Sequence, residues 1–162
     1  MAHDPRSIAN FILDIADELE RPATNLALNK IAYFLHGAYL ARYGKPLIDA
    51  KIEAWDFGPV FREIYHEFKR FKSDPVMCRA LKLNVETGMK EICDWAFNHE
   101  EERMLRSLAV SYLSMRPGAL VDLSHVHDGP WYEAWHHSGR VNPGMEISNA
   151  SIEQFFRDQV RQ

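Results

Sequence analysis

The sequence predicts a mainly α fold, a single-domain helical bundle spanning residues 1–162 with a small β element; an α+β arrangement is the alternative. Three observations support it. Apolar residues recur at three- and four-residue spacing over several stretches of helical length. Helix-capping residues stand at the starts of those stretches, and Gly or Pro at several of their ends. The one clear two-residue alternation is short, from Lys51 to Trp55. At 162 residues and 46% hydrophobic, the chain can bury a substantial core as one domain.

Asp4-Pro5 starts the first helix, with the carboxylate as cap and proline at the first helical position. Ile8, Phe11, Ile12, Ile15 and Leu19 give it one core face. The second helix, from Thr24 or Asn25 to Ala41, is apolar around nearly its whole circumference, which predicts a central, buried position. Tyr43-Gly44-Lys45-Pro46 ends it, because glycine accepts a left-handed cap and proline cannot continue the helix.

Lys51 to Trp55 reads as a short strand, with Ile52 and Ala54 on one side and Glu53 and Trp55 on the other. Gly58-Pro59 breaks it and is expected to initiate a helix with Val60, Ile64, Phe68 and Phe71 facing inward, flanked by Phe61 and Tyr65. Signals weaken from Ser73 to Gly88, where Ala80, Leu81, Leu83 and Val85 fit an irregular strand or part of a helix. Asn98 caps a helix running to about Met115, with Glu100 to Glu102 at its positive end. Ala119 to Val126 fits a short helix, Pro130 starts another bearing Trp131 and Trp135, and Pro143-Gly144 reads as a loop. Ser148 or Asn149 caps the terminal helix, whose apolar face is Ile152, Phe155, Phe156 and Val160.

A net charge of −4 argues against strong electrostatic attraction to nucleic acid. Lys69, Arg70 and Lys72 around Phe71 form a local basic run, read first as cations at a helix C-terminus. Two isolated cysteines, Cys78 and Cys93, are too few for a disulfide framework and read as small buried hydrophobes. No apolar run approaches the roughly 20 residues that cross a bilayer, and Met1 to Asp17 carries charges where a signal peptide needs an apolar core. A cytoplasmic location is expected.

No catalytic constellation emerges. His125 and His127 could converge on a metal with Asp122 or Asp128, but a two-ligand pair at this spacing is common by chance, and adjacent His136 and His137 point about 100° apart on a helix. His99 lacks the second histidine of a zincin motif, and Ser124-His125 lacks a nucleophile elbow. Phosphate-binding glycine loops are absent, and the acidic pairs Asp14 with Asp17 or Glu18 and Glu63 with Glu67 read as solvated helix faces. No catalytic residue, metal ligand or cofactor is therefore assigned. His125 is expected to tie the preceding helix end to the Pro130 turn through both ring nitrogens, with Trp131 packed beneath. Trp55, Phe57, Phe61 and Tyr65 surround a rigid Gly-Pro turn and are the candidate partner-binding residues, since Trp and Tyr most often carry binding energy.

The central run resembles the Panacea domain, the family of SocA-like antitoxins. The resemblance lies in Tyr33-Phe34, Tyr43 to Leu47, Ile52 to Trp55, Gly58-Pro59-Val60 and Tyr65 with Phe68, then in Ser124-His125 and Pro130-Trp131. Of these, Tyr33, Phe34, Gly58, Pro59, His125, Pro130 and Trp131 are expected to serve the fold. The resemblance implies a bacterial or phage antitoxin that masks a cognate protein toxin by direct contact. Two alternatives are a DNA-binding transcriptional regulator and an adaptor delivering a client to a protease. For the regulator, helices around Met104 to Met115 and Ala119 to Val126 have a helix-turn-helix look, but the second carries no Arg or Lys to reach bases or phosphates.

Overall fold

The computed structural model describes residues 1–161. In chain order its elements are α1 (Pro5–Glu18), α2 (Asn25–Tyr43), β1 (Ile52–Trp55), β2 (Gly58–Val60), α3 (Arg62–Phe68), β3 (Leu81–Leu83), β4 (Lys90–Ile92), α4 (His99–Leu113), α5 (Pro117–Ser124), α6 (Pro130–Trp135), β5 (Met145–Ile147) and α7 (Asn149–Arg161). Short 3-10 turns follow α3 at Lys69–Phe71 and α6 at His137–Gly139. The architecture is mainly α with a small antiparallel β element.

Local chemistry sets most of the helix ends. Asp4 accepts the Arg6 N–H at 2.9 Å with Pro5 at the first helical position, and Thr24 Oγ1 accepts the Ala27 N–H at 3.1 Å. Gly44 closes α2 in the left-handed region at φ 66°. Asn98 and Glu101 form a reciprocal capping box at the start of α4.

α2 is the hub. α1, α3, α4, α5 and α7 all pack on it, as does β2, so its apolar residues are buried on every side. It packs tightly on α7 at Gly37, where an added Cβ would clash with the Phe156 ring. His36, buried at the middle of α2, donates from Nε2 to Asn149 Oδ1 at 2.8 Å and accepts the Ile48 N–H at 3.2 Å through Nδ1. That second bond fixes the Nε2–H tautomer, so His36 donates to Asn149 and holds the start of α7, and burial keeps its basicity below the ordinary histidine value.

The three-stranded sheet has the order β2-β1-β5, with Ile52 opposite Ile147 and Trp55 opposite Gly58. The expectation of a helix starting at Gly58-Pro59 is corrected here. Gly58 to Val60 pair with β1 as an edge strand, where a proline without an N–H is tolerated, and the helix starts only at Arg62. Pro143-Gly144 is a turn as expected, and β5, which the sequence did not announce, follows it. The weakly patterned stretch after Ser73 becomes the β3–β4 hairpin, solvent-exposed along both strands and tied down at its base by Asn10, whose amide spans Ala80 and Cys93. Val160 lies on the exposed side of α7 rather than on its apolar face.

Candidate partner-binding site

α2 is apolar except for a polar edge, and that edge builds the site. Asn25, Asn29 and Lys30 are all buried. Asn25 Nδ2 donates to Tyr65 O at 3.0 Å, and Asn29 Oδ1 accepts the Phe61 N–H at 2.9 Å. Lys30 Nζ donates to Pro59 O at 2.8 Å. Three side chains within about one and a half turns of α2 thus hold the backbone of β2 and α3. Burial lowers the Lys30 ammonium to about 7.

The other side of the hairpin is held from α6. Trp131 Nε1 donates to Trp55 O at 2.8 Å, and the His125 ring lies flat on Trp131 with centroids 3.7 Å apart and 6° between planes. The stack was expected, but the two-nitrogen tie was not realised: His125 Nε2 is buried without a hydrogen-bond partner. Burial, followed by the Lys30 charge, pushes the imidazole below its ordinary value, while Asp122 and the nearby Phe57 backbone oppose the shift.

Gly58 sits where these supports meet. Neither Asp56 nor Phe57 has a positive φ, and Gly58, at φ 115°, absorbs the chain reversal. A Cβ there would lie 2.5 Å from Ser124 Oγ and 2.8 Å from Lys30 Cε. Both the backbone angle and the space therefore require glycine.

Trp55, Phe57 and Tyr65 are brought together on the surface. Trp55 meets Tyr65 edge-on with centroids 4.8 Å apart, and its Nε1 donates to Glu53 Oε1 at 3.0 Å. Phe57 is 65% exposed at the hairpin tip. With Asn25, Lys69 and Lys72 these aromatics line a groove of about 610 Å³. Phe61 is the exception among the candidates. It is fully buried, because the later helix start turns it inward under Asn29, and its ring meets His36 edge-on at 6.2 Å. Phe61 is therefore a core residue and not part of the edge.

The motif residues farther away serve packing. Phe34 stacks on Tyr112 at 4.8 Å, Tyr33 meets Phe156 edge-on at 5.8 Å with burial raising its phenol, and Pro130 is buried at the first position of α6. Asn25, Asn29 and Lys30 were missed by sequence reasoning. Their signal was present as polar residues at positions i, i+4 and i+5 in an otherwise apolar helix. Among the described residues, no three His, Cys, Asp or Glu side chains converge as a metal site, and no helix is long and apolar enough to cross a membrane.

The site thus lies on a helical module in which the buried polar side chains Asn25, Asn29 and Lys30 position a hairpin bearing exposed aromatic residues. The profile of the family described as Antitoxin SocA-like, Panacea domain, matches residues 28–132, a span from α2 into α6 that holds the hairpin and every support described above except Asn25. The chain is also 32% identical to Antitoxin SocA of Caulobacter vibrioides (strain NA1000 / CB15N) over 157 residues, 96% of this chain and 84% of that protein. No solved structure matches significantly. The protein belongs to the SocA-like antitoxin, Panacea domain family.

Proposed function

We propose that the protein is the antitoxin of a toxin–antitoxin pair and neutralises a cognate protein toxin by direct binding, acting as one unit in the cytoplasm without a catalytic step of its own. Family membership and the similarity to Antitoxin SocA support the antitoxin role. The observation that carries the binding mode is the edge formed by Trp55, Phe57 and Tyr65. Large aromatic side chains on a backbone held by part-buried hydrogen bonds at Trp55 O and Tyr65 O present contact area that loses little freedom on association, which is how a few residues come to dominate an interface. The regulator reading gains nothing from the structure: α5 carries no Arg or Lys, and the chain is net negative.

The test is a growth assay in which the product of the adjacent gene is induced from an unrelated promoter, with and without this protein. Growth arrest relieved by the wild-type chain is expected. Alanine at Trp55 or Tyr65 should weaken the complex by more than roughly 1 kcal/mol, and folded variants with full affinity would show that the edge is not the interface. Measuring the toxin's level in the same cells separates simple masking, which leaves it unchanged, from delivery to a protease.

A further inference from the structure

The binding edge carries a charge opposite to that of the chain. The protein is net −4, yet the exposed charged side chains lining the groove are Lys69 and Lys72 against Asp56 alone, with Lys30 buried. Every ion pair among the described residues is made by an arginine or by His127, so none of these lysines has a carboxylate partner. Arg70, between the two exposed lysines, does not share their situation. It lies over the Phe71 ring at 4.8 Å and donates to Cys78 Sγ at 3.1 Å.

Lys69 and Lys72 follow α3, and a cation at a helix C-terminus suits the helix dipole. That accounts for their sign but not for their position beside Trp55, Phe57 and Tyr65. Lys72 also holds a backbone conformation, φ 54° and ψ −121°, that a residue with a side chain rarely adopts. Lys30, which also lines the groove, is 1% exposed and is held by Pro59 O. Cations over an aromatic, largely apolar floor suit a ligand with a carboxylate next to an apolar group.

We propose that this groove receives an acidic segment of the toxin, with an Asp or Glu carboxylate between Lys69 and Lys72 and a neighbouring apolar side chain against Trp55, Phe57 and Tyr65. The inference rests on the neutralisation role assigned above. A peptide fits better than a nucleic acid, because a phosphate backbone needs a continuous basic track, whereas Glu67 and Asp74 flank these lysines along the chain and Asp56 lines the groove with them. Unpaired surface cations facing an acidic partner speed association, and the effect weakens with salt.

The test uses the purified product of the adjacent gene as the probe in a surface-binding assay at 50 and 500 mM salt. Lys69→Glu/Lys72→Glu should lose about tenfold or more in affinity, mainly through slower association, and its binding should respond less to salt than that of the wild type. Lys69→Gln/Lys72→Gln should fall between the two. The control Lys82→Glu/Lys90→Glu, on the β3–β4 hairpin, should bind within about twofold of the wild type. A Glu→Lys or Asp→Lys change in the toxin that restores binding to the Lys69→Glu/Lys72→Glu variant would identify the acidic segment. Unchanged affinity of both groove variants, with the wild type binding normally, would overturn this inference and leave the antitoxin reading intact. So would competition for the groove by a single-stranded RNA or duplex DNA oligonucleotide. A wild-type chain that neither binds the toxin nor protects against it would remove both.

Discussion

Replacing Gly58 with alanine should destabilise the fold at the site. The backbone there has φ 115°, and holding a side-chain-bearing residue in that region costs on the order of 1–3 kcal/mol. The new methyl would also lie 2.5 Å from Ser124 Oγ and 2.8 Å from Lys30 Cε, both on buried side chains. Ser124 Oγ donates to Val121 O at 2.8 Å, so it cannot turn away without breaking that bond. Overpacking of this kind adds on the order of 1–3 kcal/mol. The expected loss is about 2–6 kcal/mol, a large share of the roughly 5–15 kcal/mol that holds a domain folded. Urea denaturation would measure it as a lower midpoint at unchanged slope. The two contributions separate in a cycle with Ser124→Ala: removing the hydroxyl should make Gly58→Ala cheaper by about 1 kcal/mol or more, while the backbone strain stays. A Gly58→Ala protein within about 0.5 kcal/mol of the wild type, or an equal loss in both backgrounds, would refute the reasoning. Stability unchanged but binding abolished would instead make the turn itself a contact.

Lys30 predicts a pH signature. Its native value of about 7 lies below the ordinary 10.5, so between those pH values the unfolded chain binds more protons and stability rises with pH, by up to about 1.4 kcal/mol per unit. Lys30→Met lacks this gain, and denaturation curves of the two proteins that shift in parallel from pH 7.5 to 9.5 would disprove the burial argument. His36 acts at the acid end: because its native basicity is lowered, stability should fall as pH drops below about 6.5, and His36→Gln should blunt that fall. Gly37→Ala should push the Phe156 ring away from α2, loosening α7, and hydrogen exchange should show faster opening of Asn149–Arg161 than of α1. Asn10→Leu leaves the buried Ala80 N–H and Cys93 O without their side-chain partner and should lower stability by about 2–4 kcal/mol in thermal unfolding, with a loss under 1 kcal/mol counting against it.

What the sequence made legible was local. The Asp4-Pro5, Thr24, Gly44 and Asn98 boundaries rest on interactions within a few residues, and each is realised with the expected atoms. What it hid depends on distant partners. β5 is three residues long and becomes a strand only because Ile52 lies opposite Ile147 across the fold. The fate of Phe61 turned on whether Gly58-Pro59 opens a helix or closes a hairpin. Lys30 Nζ on Pro59 O and Asn29 Oδ1 on the Phe61 N–H favour the hairpin, and neither contact can be read from the local run. The aromatic edge was legible in part: Trp55, Phe57 and Tyr65 emerged from residue type and the turn. The polar residues that orient them sit in α2, where an apolar pattern masks them. His125 shows the same limit, since its stack on Trp131 follows from the spacing while the idle Nε2 does not.

The central claim is that neutralisation is direct contact through the hairpin edge. Its most direct measurement is calorimetric titration of the purified adjacent-gene product with wild-type protein and with Trp55→Ala/Phe57→Ala, alongside inhibition of the toxin's activity in a reaction free of DNA and protease. The account predicts that the wild type binds and inhibits over the same concentration range, and that the folded double variant loses both together. Inhibition that persists in the double variant, or protection in cells by a wild-type chain that shows no binding heat and no inhibition in the purified reaction, would contradict it.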